Sequence, residues 1–159
     1  MYTPRFDEID LTLLQFLQKH GRMKRNQLAE EVNLSVPTIS ERMRKLEEAG
    51  VISGYHAVLN ARKVGLEVTA FIFLSSESSK FYPEIIEKAV AEAEILECHA
   101  ITGDGSHVLK VRTKSTATLE KLLSRIQSWP GVVRTRTDIV LSSHKETTEV
   151  PLAQLKKRE

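Results

Sequence analysis

The chain of 159 residues has almost no cysteine; Cys98 is the single one. One thiol cannot close an internal disulfide, which predicts a protein of the reducing cytoplasm. Nor can it build a zinc site with five histidines that show no ligand spacing, so neither metal nor cofactor is expected. Long apolar runs are missing. None approaches the ~18 residues that cross a bilayer, so no membrane partner is expected. The polar start, Met1-Tyr2-Thr3-Pro4-Arg5-Phe6-Asp7, lacks the apolar core of a secretory signal. Glycine (7) and proline (5) are sparse and no repeat occurs, which excludes collagen-like and low-complexity chains. A surplus of one charge is also lacking. There are 23 Lys+Arg against 21 Asp+Glu, and residues 1–60 carry eight of each, so any electrostatic argument must rest on local clustering. With 41% hydrophobic and 28% charged residues, the composition is that of a folded globular chain.

Two periodicities divide what is present. From Phe6 to Glu48 the apolar residues recur at helical spacing. From Val68 to Leu141 alternating strands and helices take turns. A boundary falls near Asn60–Leu66, giving domains 1–60 and 61–159. The first half reads as three short helices. The first carries Phe6, Ile9, Leu13, Leu14 and Leu17 on one face, has Asp7, Glu8 and Asp10 in its first turn, and ends at His20-Gly21. The second runs from about Arg25 to Val32. It turns inward Leu28, Ala29 and Val32, and it has no side-chain cap at Lys24. The third begins after Ser35, a good N-cap, with Pro37 in its first turn. Its inward residues are Ile39, Met43 and Leu46. The link Asn33-Leu34 is too short for antiparallel packing, so the helices cross steeply, with Ala29 at the crossing. This is helix-turn-helix spacing. Val51 to Leu59, with a turn at Ser53-Gly54, reads as a small hairpin or wing.

In the second half, Val68, Ala70, Ile72 and Leu74 share one strand face while Phe71 and Phe73 lie on the other. A helix follows, with Pro83 near its start and Ile85, Ile86, Ala89, Val90 and Ala93 on one face. Strands at Ile95–Thr102 and His107–Arg112 flank a turn at Gly103-Asp104-Gly105. Ser115 caps a second helix that buries Leu119, Leu122, Leu123 and Ile126, and Val132–Leu141 closes the order βαββαβ. The fold class is therefore α+β: a winged helix-turn-helix domain, then a ferredoxin-like βαββαβ domain. Its helices cover one sheet face only. Phe71 and Phe73 on the other need a partner, and a second copy is the simplest one, so a sheet-to-sheet homodimer is expected.

With Ile39, Met43 and Leu46 inward, the third helix exposes Thr38, Ser40, Glu41, Arg42, Arg44 and Lys45. Arginine grips guanine through two bonds, Glu accepts from cytosine, and Ser, Thr and Lys reach base edges or phosphates. Lys19-His20-Gly21-Arg22-Met23-Lys24-Arg25 holds four cations and no acid, where phosphate contacts are expected. Candidate contacts to double-stranded DNA are thus Lys24, Arg25, Ser35, Pro37, Thr38, Ser40, Glu41, Arg42, Arg44 and Lys45. Glu41 also has Lys45 four residues on and can simply pair with it.

Leu34 to Ile52 (LSVPTISERMRKLEEAGVI), Glu97 to Val111 (ECHAITGDGSHVLKV) and Pro130 to Leu141 (PGVVRTRTDIVL) resemble the Lrp/AsnC family of feast/famine transcription regulators, over about residues 5–152. The resemblance implies an N-terminal DNA-binding domain and a C-terminal domain that oligomerises, as dimers that often assemble into octamers. It also implies an amino-acid effector bound between subunits near Gly103-Asp104-Gly105-Ser106. The family turn usually reads Gly-Asp-Tyr-Asp, so an aromatic and an acid are absent here. Backbone N–H groups around Gly103 and Gly105 could hold a carboxylate and Asp104 an ammonium, with hydroxyls from Ser106, Thr135 and Thr137. The two glycines equally suit a plain hairpin turn. Cys98 and His99, adjacent on a strand, point to opposite faces and cannot act as a nucleophile pair. Some relatives are sirohaem decarboxylases, and His99 and His107 could face such a ligand. An enzyme, however, has no need of the basic segment and helix.

Overall fold

A computed structural model describes residues 6–155. The chain divides into two compact units. One runs to Val58 and takes in the segment from Glu146; the other is Leu59–Lys145. The sequence boundaries of 1–60 and 61–159 placed that last segment with the second domain.

The first unit holds α1 (Glu8–Lys19), α2 (Arg25–Glu31) and α3 (Val36–Glu48). Asp7 caps α1 by accepting from the Asp10 N–H at 2.8 Å, while the Asp10 carboxylate accepts from the Asp7 N–H. The core joins Leu13 and Leu17 of α1, Leu28 and Ala29 of α2, and Ile39 and Met43 of α3. Leu46 is also buried, so all three expected inward residues of α3 are inside. Ala29, 5% exposed, packs in this core as its small size suggested.

The link after α2 has a defined chemistry. Asn33 sits at φ +52°, the left-handed region. The Leu34 N–H donates to the Ala29 carbonyl (2.9 Å) and the Asn33 N–H to that of Glu30 (3.2 Å). These two bonds form a Schellman motif, which satisfies orphan carbonyls and swings Leu34 back onto the core. The α3 helix starts at Ser35, whose hydroxyl accepts from the Thr38 N–H (3.3 Å). It ends in a second such motif, with Gly50 at φ +68° and the Val51 N–H on the Leu46 carbonyl. No hairpin follows: residues 53–60 form no strand, so the wing is a single irregular segment. Ile52 packs against the core, and the Tyr55 hydroxyl donates to Glu47 at 2.9 Å. Burial first, and then this bond, push the Tyr55 phenol up to about 12.

The segment from Glu146 returns to α1. The Gln18 side-chain amide brackets Val150: its Oε1 accepts from the Val150 N–H (2.6 Å) and its Nε2 donates to the Val150 carbonyl (3.3 Å).

The second unit is a four-stranded antiparallel sheet, β1 (Val68–Ser76), β2 (Ile95–Ala100), β3 (His107–Thr113) and β4 (Val132–Ile139), in the order β2-β3-β1-β4. With α4 (Tyr82–Ala91) and α5 (Thr116–Gln127) the chain order is βαββαβ, as the sequence predicted. Ala70, Ile72, Leu74, Leu109 and Val111 meet Ile85, Ala89, Leu119, Leu122 and Ile126 in one core. Phe71, across the pleat, is 36% exposed, so among the described residues of this unit only one sheet face is covered. The α4 face is narrower than predicted. Ile85 and Ala89 are buried, but Ile86 and Val90 are exposed, and Ala93 lies exposed beyond the helix end. An apolar pattern around a short helix does not fix the width of the face that finds a neighbour.

Asn33 is where a left-handed backbone meets a side chain. We expect Asn33→Val to destabilise the first unit by about 1–2 kcal/mol and Asn33→Gly to be tolerated, as read by urea denaturation.

Candidate nucleic-acid interface and effector turn

Burial of Ile39, Met43 and Leu46 leaves Pro37, Thr38, Glu41, Arg44 and Lys45 exposed on α3, with Ser40 half-buried at the edge. Ser35 is exposed at the cap, and its hydroxyl lies 2.8 Å from that of Thr38. Lys24 and Arg25 are exposed at the start of α2. With Lys19 and Arg22 they make no ion pair among the described residues. Lys24, Arg25 and Arg22 border an open groove with the apolar side chains of Leu17, Met23, Val36 and Met43 and with Tyr55. An exposed cationic rim beside a helix with an exposed outer face suits contacts to a phosphate backbone.

The arginines of α3 are not equivalent. Arg42 follows buried Ile39 by three residues and precedes buried Leu46 by four, so it flanks the core stripe. Its guanidinium turns away from the outer face and donates to Asp7 (2.7 Å) and Asp10 (2.8 Å) at the start of α1. Partial burial pushes the Asp7 carboxyl up. The Asp10 N–H and the Arg42 guanidinium outweigh that and hold it below the usual carboxylate value. Arg44 stays on the outer face, where its Nε and Nη2 donate to the two oxygens of Glu41 (2.9 and 2.6 Å) and its Nη1 to Glu48 (2.5 Å). Hydrogen bonds from Arg44 hold the Glu41 carboxyl below its usual value. Lys45 Nζ lies 3.6 Å from Glu41, the i,i+4 pair the sequence allowed. The Arg44 and Lys45 pairs follow the i,i+3 and i,i+4 spacing of α3, whereas those of Arg42 depend on the tertiary position of α1, which residue spacing does not show.

The turn after β2 is built mostly from its own bonds. Gly103 has φ +102°, a conformation that suits glycine. Gly105 is pressed on the strand: a Cβ there would lie 2.9 Å from the Leu74 carbonyl oxygen. The Gly105 N–H donates to Gly103 and the Ser106 N–H to Leu74 (2.7 Å), so neither is left to hold a ligand carboxylate as expected. The Ser106 hydroxyl lies 3.3 Å from the Leu74 carbonyl and 3.0 Å from His107 Nδ1. Asp104 is exposed at the tip. Thr135 pairs with Leu74 and Thr137 with Ile72, so both lie on the helix-covered face, and Thr135 Oγ1 accepts from Gln127. The turn and Thr135 flank Leu74 from opposite strands, and Thr137 lies further along β4.

The two histidines weighed for an enzyme face apart. His107 pairs with Ala100 and His99 with Val108, adjacent positions of one ladder, so their side chains lie on opposite faces. His107 is 1% exposed, with Tyr82 edge-on at 4.8 Å; burial lowers its imidazole pKa, which favours the neutral ring. His99 lies exposed beside Glu97. Cys98 is half-buried against the core, and burial pushes its thiol up, as suits a structural residue. No group of three or more metal-ligating side chains occurs among the described residues, and no helix there is long and apolar enough to cross a membrane.

This combination of a helix-turn-helix unit and a ferredoxin-like sheet unit defines a class: DNA-binding regulators with a separate ligand-binding domain. Residues 6–53 match the winged helix-turn-helix DNA-binding domain and residues 67–150 the Lrp/AsnC ligand binding domain. The chain belongs to the Lrp/AsnC family, and it is a transcription regulator rather than an enzyme. It is 40% identical to the HTH-type transcriptional regulator FL11 of Pyrococcus abyssi over 146 residues, 92% of this chain and 96% of that protein. It is 35% identical to the leucine-responsive regulatory protein of Escherichia coli over 149 residues, 91% and 90% of the two chains. A Neisseria meningitidis transcriptional regulator solved in complex with L-Met superposes with a TM-score of 0.88 at 32% identity, over 96% of this chain and all of that one. The AsnC protein of Escherichia coli gives 0.86 at 30% identity, over 93% and 100%.

Arg42→Ala removes the tie between α3 and α1. We expect a loss of about 1 kcal/mol at pH 7, a figure discounted for the half-exposed Asp7. Asp7 has its carboxyl pKa depressed by folding, so its contribution is complete above the unfolded carboxylate range. It fades as pH falls through the lower folded value. The gap between variant and wild type should therefore close in acid, as read by denaturation at a series of pH values.

Proposed function

We propose that α3 reads base edges in the major groove while Lys24 and Arg25 hold flanking phosphates. The observation that carries this reading is the division of α3, whose buried stripe of Ile39, Met43 and Leu46 leaves Thr38, Ser40, Glu41, Arg44 and Lys45 on the remaining surface. Ser35 and Pro37 set the start of the helix and approach the backbone there. Arg42 contributes by positioning α3 on α1.

A second copy of the chain covers the open sheet face. Phe71 and Phe73 support this, with the Arg136 guanidinium 4.2 Å from the Phe73 ring centre and ion-paired to Asp138. Such a mixed apolar and charged face suits a specific partner better than water. Paired units would offer two α3 helices to successive major grooves, roughly 34 Å apart. Further assembly to octamers follows the family pattern.

An amino acid or related small metabolite modulates the grip on DNA. Support comes from the family domain over residues 67–150, the L-Met held by the Neisseria relative, and the leucine response in the name of the Escherichia relative. The exposed Asp104 carboxylate would take the ammonium group, and the Gly103 and Asp104 N–H groups the carboxylate. Gly105, Ser106, Thr135 and Thr137 shape the surroundings. The lone Cys98 and the DNA target support a cytoplasmic location.

Substituting Lys24 and Arg25 together by Ala should reduce the salt dependence of DNA affinity by one to two phosphate contacts, about 0.9 in slope each. Fluorescence anisotropy across a salt series reads this, and an unchanged slope removes both residues from the interface. Calorimetry against the twenty amino acids should give heat with at least one, and Asp104→Ala should abolish it. No heat from any of them leaves the turn a purely structural element.

A further inference from the structure

The outer face of α3 carries two cations, Arg44 and Lys45, and two acids, Glu41 and Glu48. Glu47 lies apart, engaged by Tyr55. In the unbound chain every donor nitrogen of Arg44 is occupied. Glu41 takes Nε and Nη2 with its two oxygens, and Glu48 takes Nη1. A surface built only to attract phosphates would not set a carboxylate at its centre, because that charge repels the duplex.

Glu41 grips Arg44 with two in-plane acceptors side by side. Guanine presents the same pattern to arginine through O6 and N7. Exchanging Glu41 for guanine therefore preserves the bonds of Arg44. The freed carboxylate then needs a donor, and the major groove offers two, cytosine N4 and adenine N6; the adenine amino group lies beside the N7 acceptor, which repels a carboxylate, so cytosine is the match. Glu41 and Arg44 are three residues apart, about 4.5 Å along the helix axis, close to the ~3.4 Å step between bases.

Resting on the reading of α3 as the DNA-contacting helix, we infer that Glu41 is the specificity-determining residue of this protein. It withholds Arg44 from phosphates in the free chain and accepts from a cytosine beside the guanine that Arg44 takes. Where that pair of bases is absent, Glu41 either keeps Arg44 or faces acceptors and phosphates, and both weaken binding.

The test uses the full chain. Wild type first enriches a preferred duplex from a randomised pool. Fluorescence anisotropy then compares wild type, Glu41→Gln and Glu48→Gln on that duplex and on one of equal length and composition with its bases shuffled. For Glu41→Gln the shuffled duplex should bind about 10-fold tighter, because one repelling charge is gone. Affinity for the preferred duplex should rise far less, so the ratio between the two should fall about 5-fold or more. Glu48→Gln, which frees only one nitrogen of Arg44, should leave the ratio nearly intact. Both substituted side chains are exposed, so the three thermal melts should coincide. Equal tightening on both duplexes, or an equal change of ratio by Glu48→Gln, overturns the inference and leaves Glu41 as an ordinary surface charge. Failure of the underlying DNA reading looks different: wild type would then enrich no duplex at all.

Discussion

The buried stripe of Ile39, Met43 and Leu46 governs the first unit. Successive side chains on a helix are ~100° apart, so fixing three of them inside fixes the direction of all the others. A slip of one position would bring Ser40, Arg44 and Glu47 inward, and no partner waits there for their polar groups. Core packing therefore decides which residues α3 offers to a ligand, before any charge is considered. The turn before the helix serves the same end. Asn33 in a left-handed conformation stops α2, and Leu34 returns to the core, so the start of α3 is held from both sides.

The same logic separates two arginines that look alike in sequence. Arg42 and Arg44 are both cationic and both fall outside the stripe. One lies beside it and meets the acids that open α1; the other lies opposite and meets acids on its own helix. The first is a tie between helices, and the second belongs to the surface. A third arginine, Arg125, is held by Glu92 and Glu94 in the other unit. Guanidinium–carboxylate pairing is thus used both to brace the fold and to set the charge that α3 presents.

Much of this was legible in the residues. The stripe, the Ser35 cap, the small Ala29 and the alternation of β1 each obey a short-range rule, and the βαββαβ order follows from them. Strand β3 shows why alternation reads so cleanly: its residues are buried at every other position from His107 to Thr113. The bonds of Arg42 were not legible, because its partners lie 35 and 32 residues away and depend on how α1 packs. The exposure of Ile86 and Val90 escaped for a related reason, since an apolar side chain does not say whether a neighbour covers it. At the turn after β2 the residue types were right for either a ligand cradle or a hairpin. Only the bonds of Gly105 and Ser106 to the backbone distinguish what each N–H does.

The return of the chain to α1 has a temporal consequence. Gln18 and Val150 are 132 residues apart. On a ribosome the three helices can pack while the sheet unit is still being made, but the bracket around Val150 cannot close until that unit has left the exit tunnel. The first part of the molecule to fold is therefore among the last to be finished.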